Sequence, residues 1–187
     1  MRVIAIGGEP GAGKSTLMKI LLNVFEMTPK FDSVKLVPYH KSPNKEYYIL
    51  GKYEDGEVFS GTDRMSMAVQ PEAVKFLGSL PDNAIVLFEG DRLFTTSFLE
   101  HCVDNYDTNI IYLSTDKSIR EERYKERGSN QNETWLQGRE TKISNILSNM
   151  SLMFNTEKMP NNNEEDKMVN ALHIMDIMGE RLKYDTL

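Results

Sequence analysis

Apolar residues along this chain follow two rhythms. Short apolar runs at Arg2 to Ile6, Val34 to Pro38, Ala84 to Phe88, Asn109 to Leu113 and Leu152 to Asn155 predict strands. Between them the apolar positions take helical spacing. Leu17, Ile20, Leu21, Val24 and Phe25 predict a helix over residues 15–25, and Met65 to Leu80 predicts another, broken or restarted at Pro71. A last helix is expected from Glu164 to about Leu182, capped by Asn163. Strands alternating with helices mean a parallel sheet covered on both faces, so the expected fold is a three-layer α/β domain with five core strands. One stretch stands outside the alternation. In YYILGKYEDGEVFSGTD a Glu54-Asp55-Gly56 turn separates two β-rich runs and predicts a hairpin inserted after the second strand.

The first strand runs into GGEPGAGKST, residues 7–16, and the first helix follows at once. Gly8, Gly13, Lys14 and Ser15 satisfy every fixed position of the phosphate-loop pattern, in the strand-loop-helix setting that the pattern requires. The glycines let successive backbone N–H groups turn onto an anion, and the positive end of the helix points to the same place. Gly8, Glu9, Pro10, Gly11, Ala12, Gly13, Lys14, Ser15 and Thr16 are therefore expected to hold a nucleoside triphosphate. Lys14 reaches the β- and γ-phosphates and the Ser15 hydroxyl ligates Mg²⁺. A plain glycine-rich turn before a capped helix is the alternative, against which motif and context agree.

At 187 residues the chain fits a single domain over residues 1–187, with room for a small lid or insertion. One cysteine, Cys102, cannot form an internal disulfide, and Met1 leads straight into a strand with no secretory pattern, so a cytoplasmic setting is expected. No apolar stretch approaches the roughly 20 residues of a membrane span. The formal net charge of −6 argues against coating nucleic acid by bulk electrostatics. Lys30, Lys35, Lys41, Lys45 and Lys52, with His40 among them, are opposed in residues 29–53 only by Asp32 and Glu46, which reads as a local cationic patch or a solvated loop surface. His40, His101 and His173 are too scattered for a zinc cluster.

Switch GTPases, motors and small kinases share the phosphate loop. A guanine switch needs Asn-Lys-x-Asp and Asp-x-x-Gly elements, but the corresponding places read Ser114-Thr115-Asp116-Lys117 and Glu89-Gly90-Asp91-Arg92. A motor ends its metal-supporting strand in adjacent acids, whereas here the acids are separated by Gly90. A small kinase calls for a mobile, arginine-rich lid over the phosphates. Residues 116–145 supply one: Arg120, Arg123 and Arg127 share a helix face, Gly128-Ser129-Asn130 offers a hinge, and Arg139 and Lys142 follow. Glu121, Glu122 and Glu126 offer the alternative of ion pairs on a solvated helix.

Transfer to an alcohol also needs a carboxylate to accept the hydroxyl proton. Asp63 or Asp91 is the candidate base, and Glu89 the outer support of Mg²⁺. Arg64 and Arg92 are expected on phosphates of donor or acceptor. Asp63 also suits a helix cap. Trp135, the single tryptophan, either stacks on an extruded base or packs in the core.

With these features in order, the chain resembles the nucleoside-monophosphate-kinase-like branch of the P-loop kinases along nearly its whole length. The resemblance implies an acceptor-side insertion over about residues 40–64 and a lid over about 116–145. Within that branch, GKYEDGEVFSGTDRMSMAVQPEAVKFL and QNETWLQGRETKI are similar to bacteriophage kinases that use ATP to phosphorylate 5-hydroxymethyluracil in DNA. That likeness implies ATP and Mg²⁺ as cofactors and DNA as partner, in the cytoplasm of a host cell. A free nucleotide or nucleoside as acceptor, and transfer to water alone, are the other readings. In the resembling kinases the loop after the fifth strand edges the adenine, which implies that Asn161 and Asn162 bind it here.

Overall fold

A computed structural model of the chain describes residues 1–32, 34, 36–54, 57, 59–126, 128 and 132–180. The first strand, β1 (Arg2–Gly7), shows why the domain is layered. Val3 and Ala5 enter one apolar cluster, while Ile4 and Ile6 enter another, and all four are fully buried. A strand sealed on both faces belongs at the centre of a parallel sheet. Each Val or Ile buried in this way contributes about 1.5–3 kcal/mol by leaving water.

After β1 come α1 (Lys14–Val24), β2 (Thr28–Lys30), β3 (Tyr39–Lys41), β4 (Tyr47–Leu50), α2 (Val69–Ser79), β5 (Ile85–Glu89), α3 (Thr96–Asn105), β6 (Asp107–Ser114), α4 (Lys117–Glu126), α5 (Glu133–Leu147), β7 (Thr156–Pro160) and α6 (Glu164–Ile177). The described residues form one mostly parallel sheet of seven strands in the order β2-β3-β4-β5-β1-β6-β7. The strands from β4 to β7 in that order pair in parallel, whereas β2 and β3 run antiparallel to their neighbours. Helices α2, α3 and α5 pack on one face, and α1 and α6 on the other. The carboxyl ends of β1, β5, β6 and β7 therefore lie along one edge, where open α/β sheets bind ligands.

Several expectations are corrected. The sheet is larger than the expected five parallel strands: β4, β5, β1, β6 and β7 pair in parallel, and antiparallel β3 and β2 extend one edge to seven. Residues 34–38 do not supply a strand: Leu36 stands in the left-handed region (φ 63), which no pleated strand accommodates, while Val37 plugs the core from a loop. Residue 35 lies outside the described residues. The place beside β5 is taken by β4, so Tyr47–Leu50, read as part of a hairpin, is a buried sheet strand. The Asp55-Gly56 turn lies outside the described residues, and Lys52 and Gly61 form an antiparallel bridge at its base. The last strand starts later than expected. Met153–Asn155 is a 3₁₀ turn, fastened by Asn155 Nδ2 donating to Thr108 O (3.0 Å) and Thr156 Oγ1 donating to Leu152 O (2.8 Å), and β7 follows it. A 3₁₀ turn also occupies Thr62–Arg64, so α2 begins at Val69 and not at Met65. Pro71 falls in its first turn, where no intrahelical N–H is needed. Asn163 caps α6 by accepting from Asp166 N, and the helix stops at Ile177 just before Gly179 (φ 82). Leu182 lies outside the described residues.

Candidate functional site

The loop after β1 is a tight glycine turn, closed within itself by Ala12 N donating to Glu9 O at 3.1 Å. At Gly13, the residue ahead of α1, φ is 87°, and a Cβ there would stand 2.4 Å from Asn161 Nδ2, so glycine is required on both counts. No side chain caps α1, and its amino end remains open to an anion. Lys14 Nζ lies back over the loop, donating to Gly8 O (2.8 Å) and Glu9 O (3.1 Å). Glu9 accepts from the Tyr112 hydroxyl at 2.7 Å, while Thr16 is exposed beyond the loop.

A cleft opens above this floor. Gly8, Pro10, Gly11, Lys14 and Ser15 line its base, and Asp63, Glu89 and Asp91 stand together on one wall. Phe59 and Ser60 lie beyond them, and Tyr124, Trp135, Arg139 and Ile143 complete the lining. The carboxylates arrive by two routes. Glu89 ends β5, and Asp63 is brought beside it by the 3₁₀ turn, where its Oδ1 accepts from Asp91 N at 2.6 Å.

Glu89 is only 1% exposed, and Ser15 Oγ donates to its Oε1 at 2.9 Å. Burial pushes its carboxyl up to about 7, with Asp63 adding to the rise and Lys14 and Ser15 opposing it. A hydroxyl held against a buried carboxylate, beside Lys14, fits Mg²⁺ on triphosphate oxygens: Ser15 would bind the ion and Glu89 would stand behind it. Asp63 is also raised, first by burial and then by the charge of Asp91, against the pull of Lys14 and Arg92.

Asp91 does not stand free. Arg139 Nη1 lies 2.8 Å from its Oδ2, and Lys142 Nζ donates to its backbone oxygen (2.9 Å) and approaches Oδ1 (3.4 Å). Burial lowers the Lys142 pKa, and Asp91 opposes that shift. Of the two readings of Trp135, the core one is not found. It is partly exposed and stacks with the Arg139 guanidinium, 4.9 Å from its ring centre.

The remaining expected residues separate. Arg123 donates to the backbone oxygens of Gly11, Asn161 and Asn162 at 3.1–3.2 Å, tying α4 to the phosphate loop and to the loop after β7. Arg120 meets Glu140 of α5 at 3.3 Å. Arg127, Ser129 and Asn130 lie outside the described residues. Arg64 turns outward to Glu54 and Glu57, and Arg92 Nε donates to Met65 O at 3.3 Å. Neither lines the cleft. The Asn161 amide, expected at an adenine edge, is committed internally: its Nδ2 donates to Ala12 O and its Oδ1 accepts from Asn170 at 3.1 Å. Asn162 Oδ1 accepts from Asp116 N at 2.9 Å.

The cationic patch is largely spoken for. Lys41 pairs with Glu46 at 3.0 Å, Lys45 pairs with Glu180, and Lys52 lies over the Phe31 ring at 5.1 Å. Lys35 lies outside the described residues.

Phe59, Ser60 and Tyr53 were not singled out in the sequence. Two aromatic residues in an otherwise polar loop carry no periodicity, and that mismatch was the signal available. No helix among the described residues is long and apolar enough to cross a membrane.

The model of a family described as P-loop Nucleotide Kinase3 matches residues 1–161. No curated protein sequence matches the chain. Among solved structures, an uncharacterized protein from Eubacterium ventriosum ATCC 27560 is similar at 14% identity, with 96% of this chain and 98% of the other covered and a TM-score of 0.47. A gluconokinase from Sinorhizobium meliloti 1021 is similar at 11% identity, 95% coverage of each chain and a TM-score of 0.49. A shikimate kinase from Bacteroides thetaiotaomicron is similar at 13% identity, 95% and 98% coverage and a TM-score of 0.42.

Proposed function

Because the chain belongs to the P-loop nucleotide kinase family, we propose that its cleft transfers the γ-phosphoryl group of ATP to an alcohol, the 5-hydroxymethyl group of 5-hydroxymethyluracil in DNA. One observation carries the acceptor reading. Asp63 stands in the same cleft as Lys14, and that cleft is lined by Phe59, 51% exposed, and by Trp135, itself backed by Arg139. Exposed aromatic faces beside a carboxylate suit a flat ring that carries a hydroxyl, and a base extruded from a duplex must be held in this way.

Within the cleft the roles divide by partner. The phosphate loop and the open end of α1 bind the triphosphate, and Lys14 moves from the backbone oxygens of its own loop onto the β- and γ-oxygens. Ser15, with Glu89 behind it, would hold Mg²⁺, which when bound would neutralise charge on the transferring group. Asp63, and not the doubly paired Asp91, accepts the hydroxyl proton. As the acceptor oxygen bonds to the γ-phosphorus, the bridge to the β-phosphate breaks and ADP leaves. Arg139 and Lys142 supply cations over the departing charge after exchanging Asp91 for phosphate.

The test offers [γ-³²P]ATP in parallel to 5-hydroxymethyluracil DNA, thymine DNA and free nucleotides, with Lys14→Ala as control. Label retained in the modified polymer alone, and lost about 10²-fold or more in the variant, is the expected result. Label in free nucleotides only would replace the DNA acceptor with a small one, a reading favoured by the paired lysines. Release of phosphate to water in every arm would reject transfer.

A further inference from the structure

We propose that Tyr53 is a positioning residue for the magnesium-supporting carboxylate Glu89. The inference rests on the nucleotide reading above and adds to it a residue outside the phosphate-loop motif. The Tyr53 hydroxyl is buried and makes no well-formed hydrogen bond, yet it lies close enough to Glu89 for the carboxylate to raise the pKa of the phenol and for the phenol to lower that of the carboxyl. A phenol oxygen withdrawn from water without a partner is costly, and an acceptor in reach is the usual explanation. Glu89 is that acceptor. Its Oε1 already takes the Ser15 proton, leaving carboxylate lone pairs for a second donor.

The backbone is arranged to bring the two together. Lys52 N donates to Gly61 O (3.2 Å) and Gly61 N to Lys52 O (2.8 Å), closing the loop that starts with Tyr53. Gly61 then presses against both side chains: a Cβ there would stand 2.3 Å from Glu89 Oε1 and 3.0 Å from the Tyr53 oxygen. Behind Tyr53, the His40 ring packs edge-on at 5.7 Å and fixes the phenol plane. The same loop carries Phe59 and Ser60 into the cleft. Ser15 from the phosphate loop already donates to this carboxylate, and Tyr53 from the acceptor-side loop would add a second donor that fixes its direction before the ion arrives. Partners behind metal-site groups of this kind typically change metal affinity about 10–100-fold when removed.

The test uses the full chain and follows thermal stability, not turnover. Wild type and Tyr53→Phe are melted with ATP in EDTA, and then with ATP over a magnesium titration. Nucleotide binding alone should raise both melting temperatures equally. The magnesium concentration giving half of the additional rise should be about tenfold higher for Tyr53→Phe, and Gly61→Ala should shift it in the same direction. Equal magnesium midpoints for wild type and Tyr53→Phe, with ATP protection intact, would overturn the role of Tyr53 alone. Absence of ATP protection in both proteins would overturn the nucleotide reading, and the inference with it.

Discussion

Asp63 is the residue on which most forces converge. Burial and the neighbouring Asp91 carboxylate raise its pKa, while the Asp91 N–H, Lys14 and Arg92 pull it down. Only the ionised form accepts a proton, so kcat/KM should rise with pH through this raised pKa and fall away below it, with a midpoint above that of an ordinary aspartate. Removing a cation favours the neutral acid. Arg92→Gln should therefore move the acid limb to higher pH with a similar plateau, as read from a pH profile of kcat/KM. An unmoved limb would take Asp63 out of the base role. At this scale the sequence is most legible where a motif dictates spacing: Lys14 and Ser15 are fixed by the phosphate-loop pattern, and the carboxylate at the end of β5 meets them in one cleft. Phe59 and Tyr53 answer to the shape of an irregular loop, and one sequence carries no signature for that.

The arginine-bearing segment shows what an element adds to its residues. Helical spacing puts Arg120 and Arg123 on one face of α4, but that face meets three different surroundings. Arg123 is bound by the backbone oxygens of two loops, whereas Arg120 reaches across to α5. Arg123 thus braces the site from behind and is not available to swing onto phosphate. Arg123→Ala takes a donor from the Gly11 and Asn162 oxygens, while Asn161 O keeps Thr115 Oγ1, and should cost about 1–3 kcal/mol of stability, together with ATP affinity. Arg139→Ala, on α5 over the cleft, should leave stability nearly unchanged and lower turnover. Denaturant unfolding beside steady-state kinetics checks both, and equal stability in the two variants would remove the brace. Burial alone did not make the elements legible, since the fully buried β4 reads in sequence as part of a hairpin. The central strands β1, β5 and β6 were placed from their apolar runs, whereas β7, reading Thr-Glu-Lys-Met-Pro with only Met159 buried, has the polar face of an edge strand. The run at Val34 to Pro38 misled for the opposite reason: its buried Val37 fills the core from a loop, and burial without a ladder looks the same in sequence.

For the whole molecule, the proposed DNA acceptor raises the question of how a chain of net charge −6 would engage a polyanion. Three of the lysines that suggested a patch are held by Glu46, Glu180 and the Phe31 ring, so they meet DNA phosphates only by giving up those partners. On that proposal most of the binding would come from the base in the cleft, with few phosphates neutralised. Each neutralised phosphate contributes about −0.9 to the slope of log affinity against log salt, so a slope of roughly −1 to −3 is expected for 5-hydroxymethyluracil DNA. Flanking sequence should matter little, because phosphate contacts position the polymer without reading it. The measurement is the apparent KM for DNA between about 50 and 200 mM salt, with the KM for ATP as the internal reference. A slope near −6 or steeper would mean that the lysines are released to form a broad binding face. A flat response, with free nucleotides used as readily as DNA, would mean that the polymer is not the acceptor, and that the aromatic pair receives a small nucleotide.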